Sequence, residues 1–357
     1  MNGKRLILSV VLLMLVFINS GCWDNKDINN RVMPVVLGVS KESDEYKLYL
    51  QIPILEEETV RSQVITGNGR TINEVIDKLS TNLDSNIDLL HIKVIVIDSE
   101  LAEEGVKDII SGIMRSRDVP SKALVAICDK DFEQFFETMK QVKIADGSAL
   151  LEYFEKNAGW NPQIALTRVW HVYRSIHSYT LDVAIPIIHL GESTLIEFAG
   201  SAIIKNGVMV DKITSDETLL YNAYQGESAH GKIEVLDKGS VIILDNKLNY
   251  HYQLENDVPL LTLDLDLDVM ILEVKGEPTK EKIKNELEKL LKSRFENMLT
   301  KMKENEADIL GVGQLFRKEI PRSKLKDWRS TYLPNLDLDL KIEVNIRNSG
   351  NLKDPGA

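Results

Sequence analysis

The sequence predicts a mixed α/β protein of the α+β class, multi-domain, each domain a β-sheet flanked by helices. Three observations lead there. Apolar strands and amphipathic helices alternate from residue 89 to 140, the order that builds a sheet through crossover connections. Past residue 190 the order changes and a hairpin comes first. The chain has 357 residues, more than one core organises, since single cores stop growing near roughly 250–300 residues.

The first element is a leader over 1–21. Lys4 and Arg5 precede an apolar run from Leu6 to Ile18 broken only by Ser9. That run of about 13 residues reaches roughly 20 Å as a helix, short of the roughly 30 Å hydrocarbon core of a bilayer. A positive start, a short apolar stretch and the small Ser20 and Gly21 form the pattern of an export signal. Cys22 follows at once. Ordinary signal cleavage needs no cysteine, whereas bacterial lipoprotein processing attaches diacylglycerol to a thiol at this place, so Cys22 is the expected lipidation site. Asn19 stands where such signals usually carry Leu, Val or Ile. The rival readings are a plain secreted chain with a spare cysteine and an uncleaved anchor. Cys128, the other cysteine, is then left alone, and no disulfide framework is expected.

Behind the leader, an N-terminal α/β region is expected over 22–190 and a C-terminal α/β domain over 191–357. Extended runs at 32–39 and 47–55 flank the turn sequence KESDE, and SQVIT at 62–66 reads as a third strand. GNG at 67–69 is turn chemistry. Thr71 and Glu74 form a capping box for a helix to about Asn82, with Ile72, Val75, Ile76 and Leu79 on one face. LLHIKVIVID (89–98) reads as one strand, continuous enough to be covered on both sides. A helix over 101–115, a strand over 121–129 and a helix over 131–140 follow, and 142–176 reads as helical with a break at Gly159 to Pro162. AIPIIHLG (184–191) leads into the second region.

There the segment 196–213 folds back across Asn206-Gly207, the strongest hairpin signal in the chain. A short helix near 216–225 precedes extended runs over 232–274. The long helix 280–305 carries Ile283, Leu287, Leu290, Leu291, Phe295, Met298 and Met302 on one stripe. Arg294 interrupts any heptad, so that stripe is expected against a sheet rather than in a coiled coil. NLDLDLKIEVNIRN (335–348) is the last strand.

Composition narrows the function classes. The formal net charge is −12, and −14 once Lys4 and Arg5 leave with the leader. An acidic chain without a basic stripe is a poor nucleic-acid binder, and it gains nothing from an anionic membrane surface. No segment after Cys22 reaches the about 18 apolar residues of a membrane span, so that part is expected to be water-soluble.

No catalytic set rises above background. GESAHGKI (226–233) approaches a phosphate loop, but Ile233 replaces the Mg²⁺-binding hydroxyl, Glu227 puts a negative charge in the anion cradle, and the residues before it read as helix where a strand is needed. Asp264, Asp266 and Asp268 alternate with Leu, which is a strand with one wet and one dry face; calcium is the rival reading, and the glycine and late glutamate of a calcium loop are missing. Asp337 and Asp339 repeat the pattern, and as neighbours these strands need an offset or a cation such as Lys341. His91 is expected as a satisfied core histidine. WHVYRSIH (170–177) is expected to pack its aromatic face inward, with a pocket lined by Trp170, Tyr173 and Arg174 as the alternative. Cys128, at the end of an apolar strand, reads as a small hydrophobe. No cofactor or metal is expected.

Three stretches carry a family resemblance. CWDNKDI (22–28) has a Cys-Trp-Asp start with an acid-Ile pair three residues on, Asp27 standing where Glu is usual. GRTINEVIDKLSTNL and LLHIKVIVIDSELAEEGVKDII give a Gly-x-Thr helix, a His-x-Lys strand and a Leu-Ala…Gly helix. DILGVGQLFRKEIPRSKLKDW with NLDLDLKIEVNIRNSG gives an Asp…Gly…Pro…Trp segment, an alternating strand and Gly350. In this order they resemble the Ger(x)C family, the lipoprotein C subunits of spore germinant receptors.

The resemblance implies a non-catalytic, lipid-anchored subunit on the outer face of the spore inner membrane, beside polytopic A and B subunits; together they sense nutrients such as amino acids and start germination. It implies a fold of several α/β domains and supplies no cofactor residues. Trp23, Asp24, Asp27 and Ile28 lie beside the lipid and are the expected membrane or partner-docking segment. A solute-binding lipoprotein of a transporter would instead show two similar doubly wound lobes, and a cell-wall hydrolase would show activity on peptidoglycan.

Overall fold

The computed structural model describes Gly3 and residues 31–348, except 57, 58, 117, 141, 142, 145–148 and 155–160. Cys22, Trp23, Asp24, Asp27 and Ile28 lie outside the described residues. The elements in chain order are β1 (Arg31–Val32), β2 (Val36–Glu42), β3 (Glu45–Glu56), β4 (Thr59–Gly69), α1 (Ile72–Asn82), β5 (Asn86–Ile87), β6 (Val94–Asp98), α2 (Ser99–Glu104), α3 (Lys107–Ser116), β7 (Leu124–Cys128), α4 (Phe132–Met139), β8 (Lys143–Ile144), α5 (Ala149–Phe154), α6 (Val169–Ile176), β9 (Val183–Leu190), β10 (Ile196–Lys205), β11 (Val208–Ile213), α7 (Ser215–Tyr224), β12 (Ile233–Leu236), β13 (Gly239–Glu255), β14 (Val258–Val274), α8 (Lys280–Glu304) and β15 (Asp337–Asn348).

Nine strands form one sheet in the order β11-β10-β9-β7-β6-β2-β3-β4-β8. Its centre, β9-β7-β6-β2, is parallel, and antiparallel meanders extend it on both sides. The continuous apolar run of β6 follows from this position. Ile95 and Ile97 face the core under α1, α2, α3 and α6, while Val94 and Val96 face the core under α4 and α5. Gly38 of β2 answers a close approach on that second face, because a Cβ there would sit 2.3 Å from the Phe136 ring. The sheet runs across residue 190, since β10 and β11 close its edge.

Four strands form a second sheet, β12-β13-β14-β15, with β14 and β15 parallel. Helix α8 crosses between them and buries Ile283, Leu287, Leu291, Phe295, Met298 and Met302, with Leu290 partly covered. Arg294 leaves that stripe to pair with Asp216 at 2.6 Å and Glu234 at 2.8 Å, which ties α8 to α7 and β12. Asn206 (φ 53°) and Gly207 (φ 86°) make the β10–β11 turn in left-handed conformations, and Glu74 N–H donates to Thr71 Oγ1 at 3.1 Å to start α1.

The structure departs from the sequence expectation in several places. The helix expected over 101–115 is two, α2 and α3, parted at Gly105 with φ 127°. Residues 67–69 belong to β4 rather than to a turn, because α1 lies on them: a Cβ on Gly67 would meet Val75 and Leu79 at 3.0 Å. Residues 89–91 are a 3₁₀ turn, started by Leu90 N–H donating to Asp88 Oδ1 at 3.0 Å, so His91 is exposed rather than in the core. The stretch 142–176 is not one interrupted helix. Its helices α5 and α6 are short, and between them Thr167 O accepts from Val125 N–H at 2.8 Å, continuing the edge of β7 in place of a helix.

Candidate functional site

The two sheets meet at a buried polar junction. Asp182, fully buried just before β9, receives both prongs of the Arg329 guanidinium, Nε to Oδ2 and Nη2 to Oδ1, each at 2.8 Å. Arg329 Nη2 also donates to the Ser178 and Leu181 carbonyls at 2.7 and 3.2 Å. The remaining capacity of Asp182 takes Asn206 N–H of the hairpin turn at 3.3 Å and Asp308 N–H at 2.9 Å. A charge in a dry place is thereby fully paired, the condition for tolerating its burial.

Asp308 is also fully buried. It accepts from Val312 N–H at 2.9 Å, Gly313 N–H at 2.7 Å and Trp328 Nε1–H at 2.9 Å. Burial, together with the nearby Asp182 carboxylate, pushes its pKa up to about 6 against the pull of those donors. Trp328 stacks between Phe316 and Tyr332, with ring centroids 5.6 and 6.0 Å away. The Asp…Gly…Pro…Trp stretch read from sequence is therefore a folding unit: the acid holds the loop, Gly313 clears the ring, and the tryptophan closes the loop.

Beside this junction lies a cavity of about 220 Å³ between α6, β9 and α7. His171 and Arg174 face it, whereas the buried face of α6 is aliphatic, Val169, Val172 and Ile176. The expectation of an inward aromatic face holds for Tyr173, which packs partly buried against the core under α6, and fails for Trp170, which stays 37% exposed with Arg174 stacked over its ring. A larger groove of about 400 Å³ between α1 and α3 has an apolar floor including Ile72, Ile109 and Ile113.

The other sequence candidates have structural roles. Residues 226–232 form a loop whose Gly231 and Ala229 amides donate to Ile243 O and Asn246 Oδ1, and Lys232 pairs with Asp216 at 3.5 Å. No cradle of free amides is left for a phosphate. The Cys128 thiol is buried and pushed up to about 12 by desolvation, which keeps it protonated and unreactive. β14 and β15 are direct neighbours, and cations meet two of the acids: Asp264 faces Lys341 and Asp268 pairs with Arg347 at 2.8 Å, whereas Asp266 stands opposite Glu343. Among the described residues no cluster of three or more His, Cys, Asp or Glu is arranged to hold a metal ion, and no helix is long and apolar enough to cross a membrane. The two sheets are unlike in strand number and direction, so they are not the two similar lobes of a solute-binding protein.

Comparison with known proteins points one way. The family model described as spore germination protein N-terminal domain matches residues 24–190, and the spore germination B3/GerAC-like C-terminal model matches 199–350. Spore germination protein KC of Bacillus subtilis (strain 168) is 22% identical, with 99% of this chain and 98% of that protein covered. Spore germination protein GerQC of Bacillus cereus is also 22% identical, over 81% of this chain and 83% of that one. The crystal structure of the GerBC protein superimposes with a TM-score of 0.56 at 16% identity, covering 87% of this chain and 97% of that one, which shows the same fold.

Proposed function

The chain belongs to the Ger(x)C family of spore germination proteins, and from that membership we propose that it is the lipid-anchored C subunit of a nutrient germinant receptor. The observation that carries this reading is the order of two germination domains, 24–190 and 199–350, directly behind the Cys22 junction. In this reading residues 1–21 are removed, and Cys22 bears a diacylglycerol whose two acyl chains give stable anchoring where one is marginal. The mature acidic chain has no electrostatic pull toward anionic lipid, so the lipid does that work. The subunit sits on the outer face of the spore inner membrane with polytopic A and B subunits.

It acts by assembly and not by catalysis. The buried, protonated Cys128 thiol and the bonded Ala229 and Gly231 amides of the 226–232 loop support this. Trp23, Asp24, Asp27 and Ile28 dock onto the membrane partners: a tryptophan suits the interface, and two acids beside lipid are useful for pairing with a partner's Arg or Lys.

The test is Cys22→Ala in spores, with membrane fractionation and co-purification of the A and B subunits. The variant should keep its fold, leave the membrane fraction and slow germination. If it stays with the membrane and germination proceeds at the normal rate, the anchoring reading is wrong. If the tagged wild-type chain brings down neither A nor B from solubilised membranes, the receptor reading falls with it.

A further inference from the structure

The cavity beside the junction carries two opposite charges that the protein does not pair with each other or with any other described charge. Arg174 lines it from α6 and Glu227 from just beyond α7. Both are exposed at the mouth. Arg174 makes a cation–π contact with Trp170, 5.3 Å from the ring centroid, yet neither it nor Glu227 has an ion-pair partner among the described residues, and the two stand farther apart than the 4.0 Å of an ion pair. The Tyr221 hydroxyl, buried in the wall, lies in the field of both charges.

Deeper in, the polar groups are sorted the same way. His171 Nδ1 accepts from Arg168 N–H at 3.1 Å. Burial, with Arg174 and Arg168 adding to it, pushes the imidazole down to about 4, so the ring is neutral and its single proton sits on Nε2 as a donor. Asn222 is nearly buried and spends its amide hydrogens on the Pro162 and Ile164 carbonyls, at 2.8 and 3.0 Å, which leaves its oxygen as an acceptor. Leu166 and Ile309 give the cavity an apolar side.

We infer that this cavity binds a small zwitterion of the α-amino-acid class with an aliphatic side chain. Its carboxylate meets Arg174 and the His171 N–H, its ammonium meets Glu227 and the Asn222 oxygen, and its side chain lies against Leu166 and Ile309. A guanidinium fork suits a carboxylate geometrically. A ligand carrying both charges on adjacent carbons spans a gap that the two side chains do not close by themselves. About 220 Å³ is the share of roughly seven waters, enough for such a molecule and too little for a nucleotide or a sugar chain.

The inference is independent of the receptor reading, because a chain with no role in germination would bind just as well, and a receptor subunit need not bind. The experiment is isothermal titration calorimetry of the full lipidated chain in detergent with L-valine, 3-methylbutanoate and isobutylamine. The latter two lack one charge each. L-valine should bind saturably at millimolar concentration or tighter, and each single-charge analogue should bind at least about tenfold more weakly. Arg174→Gln and Glu227→Gln should each weaken L-valine by about tenfold or more; Glu227→Gln should leave the melting temperature unchanged, since it breaks no ion pair, and Arg174→Gln should lower it by no more than Trp170→Ala does, since the exposed cation–π contact is all it loses. Absence of L-valine binding, equal binding of either analogue, or unchanged affinity in both variants overturns the inference.

Discussion

Trp328 donates its indole Nε1–H to Asp308 Oδ2 at 2.9 Å, with both side chains fully buried. The same oxygen takes Gly313 N–H, and the next residue, Arg329, neutralises Asp182. One short stretch of the C-terminal region therefore satisfies two buried carboxylates, one of its own and one at the start of β9 inside the nine-stranded sheet.

Arg329→Met keeps most of the volume but strands Asp182 without its cation. Removing one partner of a buried pair typically costs about 3–5 kcal/mol, and urea unfolding should show a loss of that size. Arg329→Lys restores charge without the fork and should fall between. A loss below about 1 kcal/mol in the methionine variant would mean that the pair does not hold the junction.

Gly313→Ala places a Cβ 2.5 Å from the Trp328 indole. Overpacking of this kind costs about 1–3 kcal/mol. In a Trp328→Phe background the smaller ring makes room, so the alanine should cost less there by about 1 kcal/mol or more in a double-mutant cycle. Strict additivity would show that the ring is not what the glycine accommodates.

Asp308 predicts a pH dependence of definite sign. Its folded pKa of about 6 lies above the unfolded value of about 3.9, so the folded state holds the extra proton. Stability from this group is greatest below about pH 4 and is lost as pH rises through 6, by up to about 3 kcal/mol. Glu74 and Asp88, held low by their hydrogen bonds and cationic partners, run the opposite way. The wild type should therefore be compared with Asp308→Asn, where those two cancel. The difference in unfolding free energy should decline from pH 4 to 7, and a flat difference would refute the assignment.

Trp23→Phe combined with Asp24→Asn separates membrane anchoring from docking. A segment that only touches lipid tolerates both changes. The docking role predicts weaker recovery of the A and B subunits and slower germination, with membrane attachment retained. Wild-type behaviour in both assays rules docking out.

Much of the fold was legible because its signals are local. The stripe from Ile283 to Met302 and the Asn206-Gly207 turn need no tertiary information to read. Gly67 and Gly69 misled because glycine serves turns and close packing alike, and only the position of α1 decides between them. The junction was the least legible part. Asp182 in TLDVAIPII and Asp308 in ADILGVG are single acids inside apolar runs, a signal of paired burial, yet nothing nearby in sequence names Arg329 as the partner. The cavity is half visible in sequence: Arg174 reads as a pocket residue, but Glu227 reads only as a flaw in a phosphate loop.

Asp182 and Arg329 are 147 residues apart, and that separation bears on how the chain matures. The acid is made, and on the proposed route exported, well before its base. Until residue 329 arrives, the start of β9 carries a carboxylate that cannot be sealed from water. Contacts of such long range form late and slowly, because the loop must close before the contact rewards it. A chain cut short before Arg329 keeps this site open, with the apolar walls of the junction exposed to proteases and holdases. The ion pair thus acts as a completeness check, allowing the last-made segment to license the first-made sheet.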